Sequence, residues 1–268
     1  MSSESTPDVG SGPPGSQDVG FGIDVGGTGI KGGLVDLRTG ALIGNRVKIA
    51  TPTPATPDAV AGTVRQIVDK FQWQGAIGIT LPAVVRGGIV QTAANIDKSW
   101  IGLDAAAMFS AALDGLPVHV LNDADAAGLA EDRFGGGREQ TGVVVLLTLG
   151  TGIGSAVLND GVLLPNTEFG HLEVDGKEAE HRAAASVRAA KDMSWHHWTK
   201  EVSRVLKVIE NLISPDLIIV GGGISREGAK WIPLLTNRTP VTAATLHNSA
   251  GIVGAAMLAA GLTAAVAP

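Results

Sequence analysis

The stretch Gly22-Ile-Asp-Val-Gly-Gly-Thr-Gly-Ile-Lys31 limits what this chain can fold into more than any other segment. Phe21 to Asp24 is apolar and β-prone, a strand that ends on a carboxylate. Gly26, Gly27 and Gly29 are expected to turn the backbone with φ above zero, bringing N–H groups to an anion with no Cβ in the way. Gly32 to Leu37 then reads as a second strand, so the device is strand-turn-strand. Neither GxxxxGKS/T nor GxGxxG is present in it, which separates it from the strand-loop-helix phosphate sites. Alone, such a turn is an ordinary hairpin. A second one changes the reading: Leu149-Gly-Thr-Gly-Ile-Gly154 joins the apolar run Val143–Thr148 to Ser155–Leu158.

Composition narrows the class. With 44% hydrophobic and 17% charged residues among 268, the chain has the balance of a globular protein able to bury a large core. Its 37 glycines are about twice the usual ~7% share, which suits tight turns between strands. A net charge of −6 gives no basic footprint for nucleic acid, although a local cationic strip would suffice for a polyanionic substrate. Cysteine is absent, so disulfides, a thiol nucleophile and thiolate zinc sites are excluded. Residues 1–19 lack a basic start and an apolar core and read as a disordered leader, not a secretory signal. The run from Ala250 to Ala267 approaches membrane-spanning length, but its Ala/Gly content and missing basic flanks predict a packed terminal helix. A cytoplasmic location with no membrane or nucleic-acid partner is expected.

The pattern predicts strands at 41–50, 76–81 and 117–121, and a helix from Thr56-Pro57 to about Gln72 with Val60, Val64, Ile67, Val68 and Phe71 inward. A hairpin is expected around Arg86-Gly-Gly88 and a helix over 104–113. The second half offers helices at 179–190, 195–213 and 227–235, a strand at 217–220 and a final helix from about Ser249. Both halves thus begin with strands around a glycine turn.

Taken together, the Asp24–Thr28 and Gly150–Gly154 turns make the chain resemble the ROK family of sugar kinases. Within it, the likeness is to the polyphosphate/ATP-dependent glucokinases and glucomannokinases of actinobacteria, and it extends from Phe21 to about Leu262. The resemblance implies an α/β actin-like ATPase fold (hexokinase/ribonuclease H-like), two lobes with a cleft between them. Residues 20–122 would form the small lobe, joined by a terminal helix at 249–262, and 123–248 the larger one. It implies transfer of a phosphoryl group from inorganic polyphosphate or ATP to the 6-hydroxyl of glucose, and of mannose, by a homodimer. The competing readings are an ATP-only kinase for fructose or an N-acylmannosamine, and a non-catalytic sugar-binding regulator. A repressor would need a helix-turn-helix ahead of the core, which twenty Gly/Pro/Ser-rich residues cannot supply.

The candidate site follows. Asn122 and Asp123 close a strand and open a helix, with Asp125 expected to cap or solvate the helix start. A sugar hydroxyl is a poor nucleophile and needs a carboxylate to take its proton, the role read for Asp123. Asn122, donor and acceptor on one amide, suits neighbouring hydroxyls. The resemblance adds Asn95, Glu168, His171 and Glu180 on the sugar, with Glu173 as a weaker candidate. Trp100 reads as an apolar wall or a core aromatic. Donor phosphates fall to Asp24, Gly26, Gly27, Thr28, Gly29, Lys31, Gly150, Thr151, Gly152 and Gly154, and the adenosine side to Gly221, Gly222 and Gly223. Mg²⁺ is expected near Asp24, held indirectly. Most ROK proteins carry a cysteine-rich zinc motif after the sugar-binding His; this chain lacks the cysteines and no zinc is expected. His181, His196 and His197 read as helix-surface residues. Ala83 replaces a family glycine in Leu81-Pro-Ala-Val-Val85. Lys31, Arg46, Lys48 and Lys98 are candidates for a cationic track along a polyphosphate chain.

Overall fold

The computed structural model describes residues 18–93 and 96–263. The first glycine turn joins β1 (Val19–Val25) to β2 (Ile30–Asp36), and β3 (Leu42–Ile49) returns antiparallel to β2. α1 (Pro57–Phe71) starts with Pro in its first turn and buries Val60, Val64, Ile67 and Val68 on one face. There follow β4 (Ile77–Leu81), the small hairpin β5 (Val85–Arg86) and β6 (Ile89–Val90), α2 (Ala105–Ala112), β7 (Val118–Asn122) and α3 (Asp123–Phe134). The sheet order is β3-β2-β1-β4-β7, with β4 and β7 parallel to β1.

The second half repeats this plan. β8 (Val143–Leu149), β9 (Ile153–Asn159) and β10 (Val162–Leu164) form an antiparallel set around the second glycine turn. After them come the hairpin β11 (Glu173–Val174) and β12 (Lys177–Glu178), then α4 (Ala179–Ala183), α5 (Ala185–Ala190) and α6 (Trp195–Ile213). β13 (Leu217–Gly221), α7 (Gly228–Trp231), β14 (Val241–Ala243) and α8 (Ala250–Ala259) complete it. Its sheet, β10-β9-β8-β13-β14, has the same order and the same mix of directions as the first.

Three apolar layers hold these parts together. One lies between the first sheet and α1 with α2, and another between the second sheet and the α4–α6 side. The middle layer buries Ala126 and Leu129 of α3 with Ile252, Val253 and Ala256 of α8 between the two sheets. The small residues of α8 let its backbone lie directly on the first sheet: a Cβ on Gly22 would stand 1.9 Å from the Ile252 carbonyl oxygen, and one on Gly78 1.8 Å from that of Ala255. The Ala/Gly composition of the C-terminal run is therefore a packing device. Among the described residues no helix is long and apolar enough to cross a membrane.

Several expectations are corrected. The Leu37 N–H donates to the Asp18 carbonyl at 2.8 Å and Val19 opens β1, so the expected leader of 1–19 runs two residues too far at least; residues 1–17 lie outside the described part. The expected helix over 179–190 breaks at Ala184, whose ψ of 151° is extended, and the Trp198 indole N–H donates to the Ala183 carbonyl at 3.1 Å. The expected helix at 227–235 shrinks to α7 between two 3-10 turns, because Pro233 has no N–H to continue it. The β11–β12 hairpin went unread although its Asp175-Gly176 turn, with φ of 49° and 74°, carries the usual signature.

Candidate active site

Register places the first group of side chains. In the first sheet Asp24 pairs with Lys31 on β2 and with Thr80 on β4, so the three stand in one row on one face. Lys31 Nζ donates to Asp24 Oδ2 at 3.0 Å, and Thr80 Oγ1 donates to Asp24 Oδ1 at 3.0 Å. Both carboxylate oxygens are thus engaged, and Lys31, expected to face phosphate directly, is tied to Asp24. Thr80 carries no motif and was not read from the sequence.

The glycine turns differ from expectation in one respect. Gly26, Gly27 and Gly29, like Gly150, Gly152 and Gly154, are not among the positive-φ residues. At Gly29 and Gly152 the demand for glycine is steric. A Cβ on Gly29 would lie 2.5 Å from Lys48 Cε, and one on Gly152 2.4 Å from Glu180 Oε2, whereas Gly27 and Gly150 face open space. The first turn closes through the Gly26 N–H to the Gly29 carbonyl, and the second through Gly150 to Gly152. Thr28 and Thr151 are exposed at the turn tips. The Ser186 side chain and N–H pin the second turn at the Thr151 and Gly150 carbonyls. Where φ is positive is Gly222, at +83°, packed on the Leu149 backbone beside that turn; Gly221 ends β13 and Gly223 is open.

Asn122 and Asp123 sit where β7 passes into α3. Asn122 is the N-cap: its Oδ1 accepts from the Ala124 and Asp125 N–H groups at 2.8 and 3.0 Å, and its Nδ2 donates to the Ala83 carbonyl at 3.2 Å. Only one of its two amide N–H groups is used in this way. Burial pushes the Asp123 carboxyl up to about 7, with the Asp24 and Glu168 carboxylates adding to the rise. Asp125 overturns its expectation. It is 2% exposed, neither capping the helix nor solvated. One of its oxygens accepts the Asn166 N–H at 2.8 Å, and Oδ1 is buried with no partner among the described residues. Burial pushes it also to about 7.

Asn166 is a second residue that the sequence reading missed. Its Oδ1 accepts from the Val85 N–H and its Nδ2 donates to the Val85 carbonyl, both at 2.9 Å. A side-chain amide thus pairs with β5 like a strand backbone and ties the loop ahead of Glu168 to the first half. The only local signal was the Pro165-Asn166 turn, where Asn166 adopts φ of 61°.

Glu168 precedes the 3-10 turn Phe169–His171. Its carboxyl is raised by partial burial and by Glu180, against His171. His171 Nδ1 lies 3.6 Å from Glu178 Oε1, and His181 bridges Glu178 at 3.2 Å and Glu180 at 3.8 Å. The Ile153 N–H also reaches Glu180 Oε2 at 3.4 Å, joining this group to the second glycine turn. His181 lies exposed on α4, as expected of a helix-surface residue, and from there reaches this cluster. His171, Glu178 and Glu180 bring ligand atoms within 4.8 Å of one another, a spacing that could hold a metal ion without cysteines. His171 is exposed and the two glutamates are half-buried. Glu173 is exposed on β11, outside the group. Trp100 belongs to the core, 0% exposed with its indole N–H on the Ala55 carbonyl. Asn95 lies outside the described residues.

These positions bring carboxylates from both halves, Asp24, Asp123, Glu168 and Glu180, to one region beside both glycine turns. The ROK family profile matches residues 20–182. The polyphosphate glucokinase of Mycobacterium tuberculosis (strain CDC 1551 / Oshkosh) is 63% identical over 242 residues, covering 90% of this chain and 91% of the relative. The crystal structure of the inorganic polyphosphate/ATP-glucomannokinase from Arthrobacter sp. strain KM superposes with a TM-score of 0.86 at 48% identity, over 91% of this chain and 99% of that one. A ROK family glucokinase from Streptomyces griseus, solved with glucose and AMPPNP, gives 0.76 at 26% identity, over 90% and 99%.

Proposed function

The chain belongs to the ROK family, and from that membership we propose a hexose kinase that moves the terminal phosphoryl group of inorganic polyphosphate or ATP to the 6-hydroxyl of glucose. Mannose is proposed as a second acceptor on the likeness to the glucomannokinase. The observation that carries the chemistry is Asp123, a carboxyl at a strand end that burial and two neighbouring carboxylates keep hungry for a proton near neutral pH.

In this reading the 6-hydroxyl oxygen attacks the terminal phosphorus as its proton passes to an Asp123 carboxylate oxygen. The bond from phosphorus to the bridging oxygen breaks, and the shortened polyphosphate, or ADP, leaves. Asn95, Asn122, Glu168, His171 and Glu180 orient the sugar. Asn122 does so with the amide N–H that its helix cap leaves over. The Asp24–Thr28 and Gly150–Gly154 turns cradle the donor phosphates with backbone N–H groups, and Gly221 to Gly223 border the adenosine.

Asp24 would hold Mg²⁺ through water, with Lys31 and Thr80 each taking one acceptor site on its two oxygens and fixing the carboxylate. Bound there with the donor, Mg²⁺ supplies neutralisation of the charge on the transferred group. We also propose a homodimer, on the family likeness, and a cytoplasmic enzyme; sedimentation velocity and cell fractionation check these. The direct test is to incubate the protein with glucose and Mg²⁺ and either long-chain polyphosphate or ATP, and to measure glucose 6-phosphate. Product with both donors supports the proposal. Product with ATP alone removes the polyphosphate claim, and product with neither removes the kinase.

A further inference from the structure

The region that must receive the donor is rich in carboxylates: Asp24, Asp123, Glu168 and Glu180 gather there on a chain with net charge −6. A polyanion approaches such a region only along compensating cations. Sheet register supplies them on one side. Lys48 on β3 pairs directly with Lys31 on β2, which pairs with Asp24 on β1. Directly opposed residues share a face, so the two lysine side chains rise from the same face in the row that ends at the first phosphate turn. The Lys48 stem lies over that turn, since a Cβ on Gly29 would meet Lys48 Cε at 2.5 Å. Lys31 is neutralised by Asp24, while Lys48 is exposed and makes no ion pair among the described residues.

Arg46 extends the row. It lies two residues from Lys48 on the same strand, at the register shift between Gly32 and Leu34, where a Cβ on Gly33 would lie 3.6 Å from Arg46 Cβ and so puts Arg46 beside the Lys31 face. Its guanidinium donates to the Asn248 carbonyl at 3.2 Å, in the 3-10 turn His247–Ser249 that leads into α8. That turn packs against the turn Gly223–Glu227, which holds part of the proposed adenosine side. The cations therefore run from the phosphate turn along an exposed sheet edge. Lys98 belongs to a different element, the 3-10 turn Lys98–Trp100.

We propose that Lys48 and Arg46, continuing from Lys31 along the β3 edge, form a track for the phosphates of a long polyphosphate donor beyond those at the reacting end. The proposal rests on the kinase reading above and deepens it by assigning residues that discriminate between donors. A nucleoside triphosphate ends in a base and offers no further phosphates to these cations; a long polyphosphate offers one charge after another, and the repeat of the strand can meet them.

The test compares wild type with Lys48→Ala, Arg46→Ala and the double variant, on long-chain polyphosphate, inorganic triphosphate and ATP at saturating glucose. Polyphosphate-driven kcat/KM should fall roughly tenfold more than ATP-driven kcat/KM in the double variant, mostly through KM. The loss should be smaller for triphosphate than for the long chain. The slope of log KM for polyphosphate against log salt should flatten, as expected when cations leave a polyanion site. Lys48→Arg should restore most of the effect. Equal losses with all donors would assign these residues a structural role and overturn the track, as would an unchanged KM for polyphosphate. A wild-type protein that works only with ATP would instead overturn the polyphosphate reading itself.

Discussion

Replacing Asp125 by Asn isolates the most unusual electrostatic feature of the fold. The carboxyl is buried, gives one oxygen to the Asn166 N–H and leaves the other unpartnered among the described residues. Burial first, then Glu168 and Asp123, push it up to about 7, against about 3.9 in the unfolded chain. The folded protein therefore keeps this proton up to neutral pH, while the unfolded chain gives it up near pH 4. The stability it contributes is full below about pH 4 and is lost as pH rises through about 7. A difference of about three pKa units at ~1.4 kcal/mol each corresponds to about 4 kcal/mol across the full titration, of which roughly 2–3 fall between pH 5 and 8. Asn cannot ionise, and its amide oxygen can still accept the Asn166 N–H. In urea unfolding, the stability of Asp125→Asn relative to wild type should rise by about 2–3 kcal/mol from pH 5 to pH 8. A difference that stays constant over that range would show that Asp125 is ionised at pH 5, and the desolvation argument would fail.

Other substitutions test the joints of the site. Asn166→Ala removes two hydrogen bonds to Val85; it should cost about 1–3 kcal/mol in urea unfolding and raise the KM for glucose more than it lowers kcat. A change in stability with no change in KM would deny the clasp a part in placing Glu168. Gly78→Ala puts a methyl against the Ala255 carbonyl and should leave the protein insoluble or lower its melting temperature by several degrees. Gly62→Ala, in α1 with nothing near its added methyl, should stabilise by about 0.5–1 kcal/mol, and the same calorimetric scan reads both. Because the Asp123 carboxyl titrates near 7 and must be ionised to accept a proton, kcat/KM for glucose should fall as pH drops through that value. A flat profile from pH 6 to 8 would contradict it.

Much of the fold was legible because local signals and burial agree. Alternation, the Thr56-Pro57 start and the two glycine turns marked both sheets, and α6 begins at Trp195 and ends at Ile213 as its periodicity indicates. What failed depended on distant partners. The break at Ala184 needs the Trp198 indole, which no local pattern announces. Glycine in the phosphate turns suggested positive φ, yet Gly29 and Gly152 are small because Lys48 and Glu180 pass across them. At the site, Asp123 was readable from its strand end. Asp125 was misread because an Asp in a first helical turn is normally solvated; only the folded packing shows it buried with the Asn166 N–H on it. Thr80 and Asn166 act through cross-strand register and a contact between halves, neither of which is written in a motif.

The central claim is the proton-accepting role of Asp123, and Asp123→Asn tests it most directly. Glucose 6-phosphate formation should be measured with polyphosphate and with ATP, alongside glucose binding by titration calorimetry and the urea unfolding curve. The account predicts that turnover falls by roughly a hundredfold or more with both donors, while glucose still binds and the variant unfolds cooperatively. Retention of more than about a tenth of wild-type turnover, below the loss expected for removing a general base, would contradict the assignment and move the search for the base to Glu168.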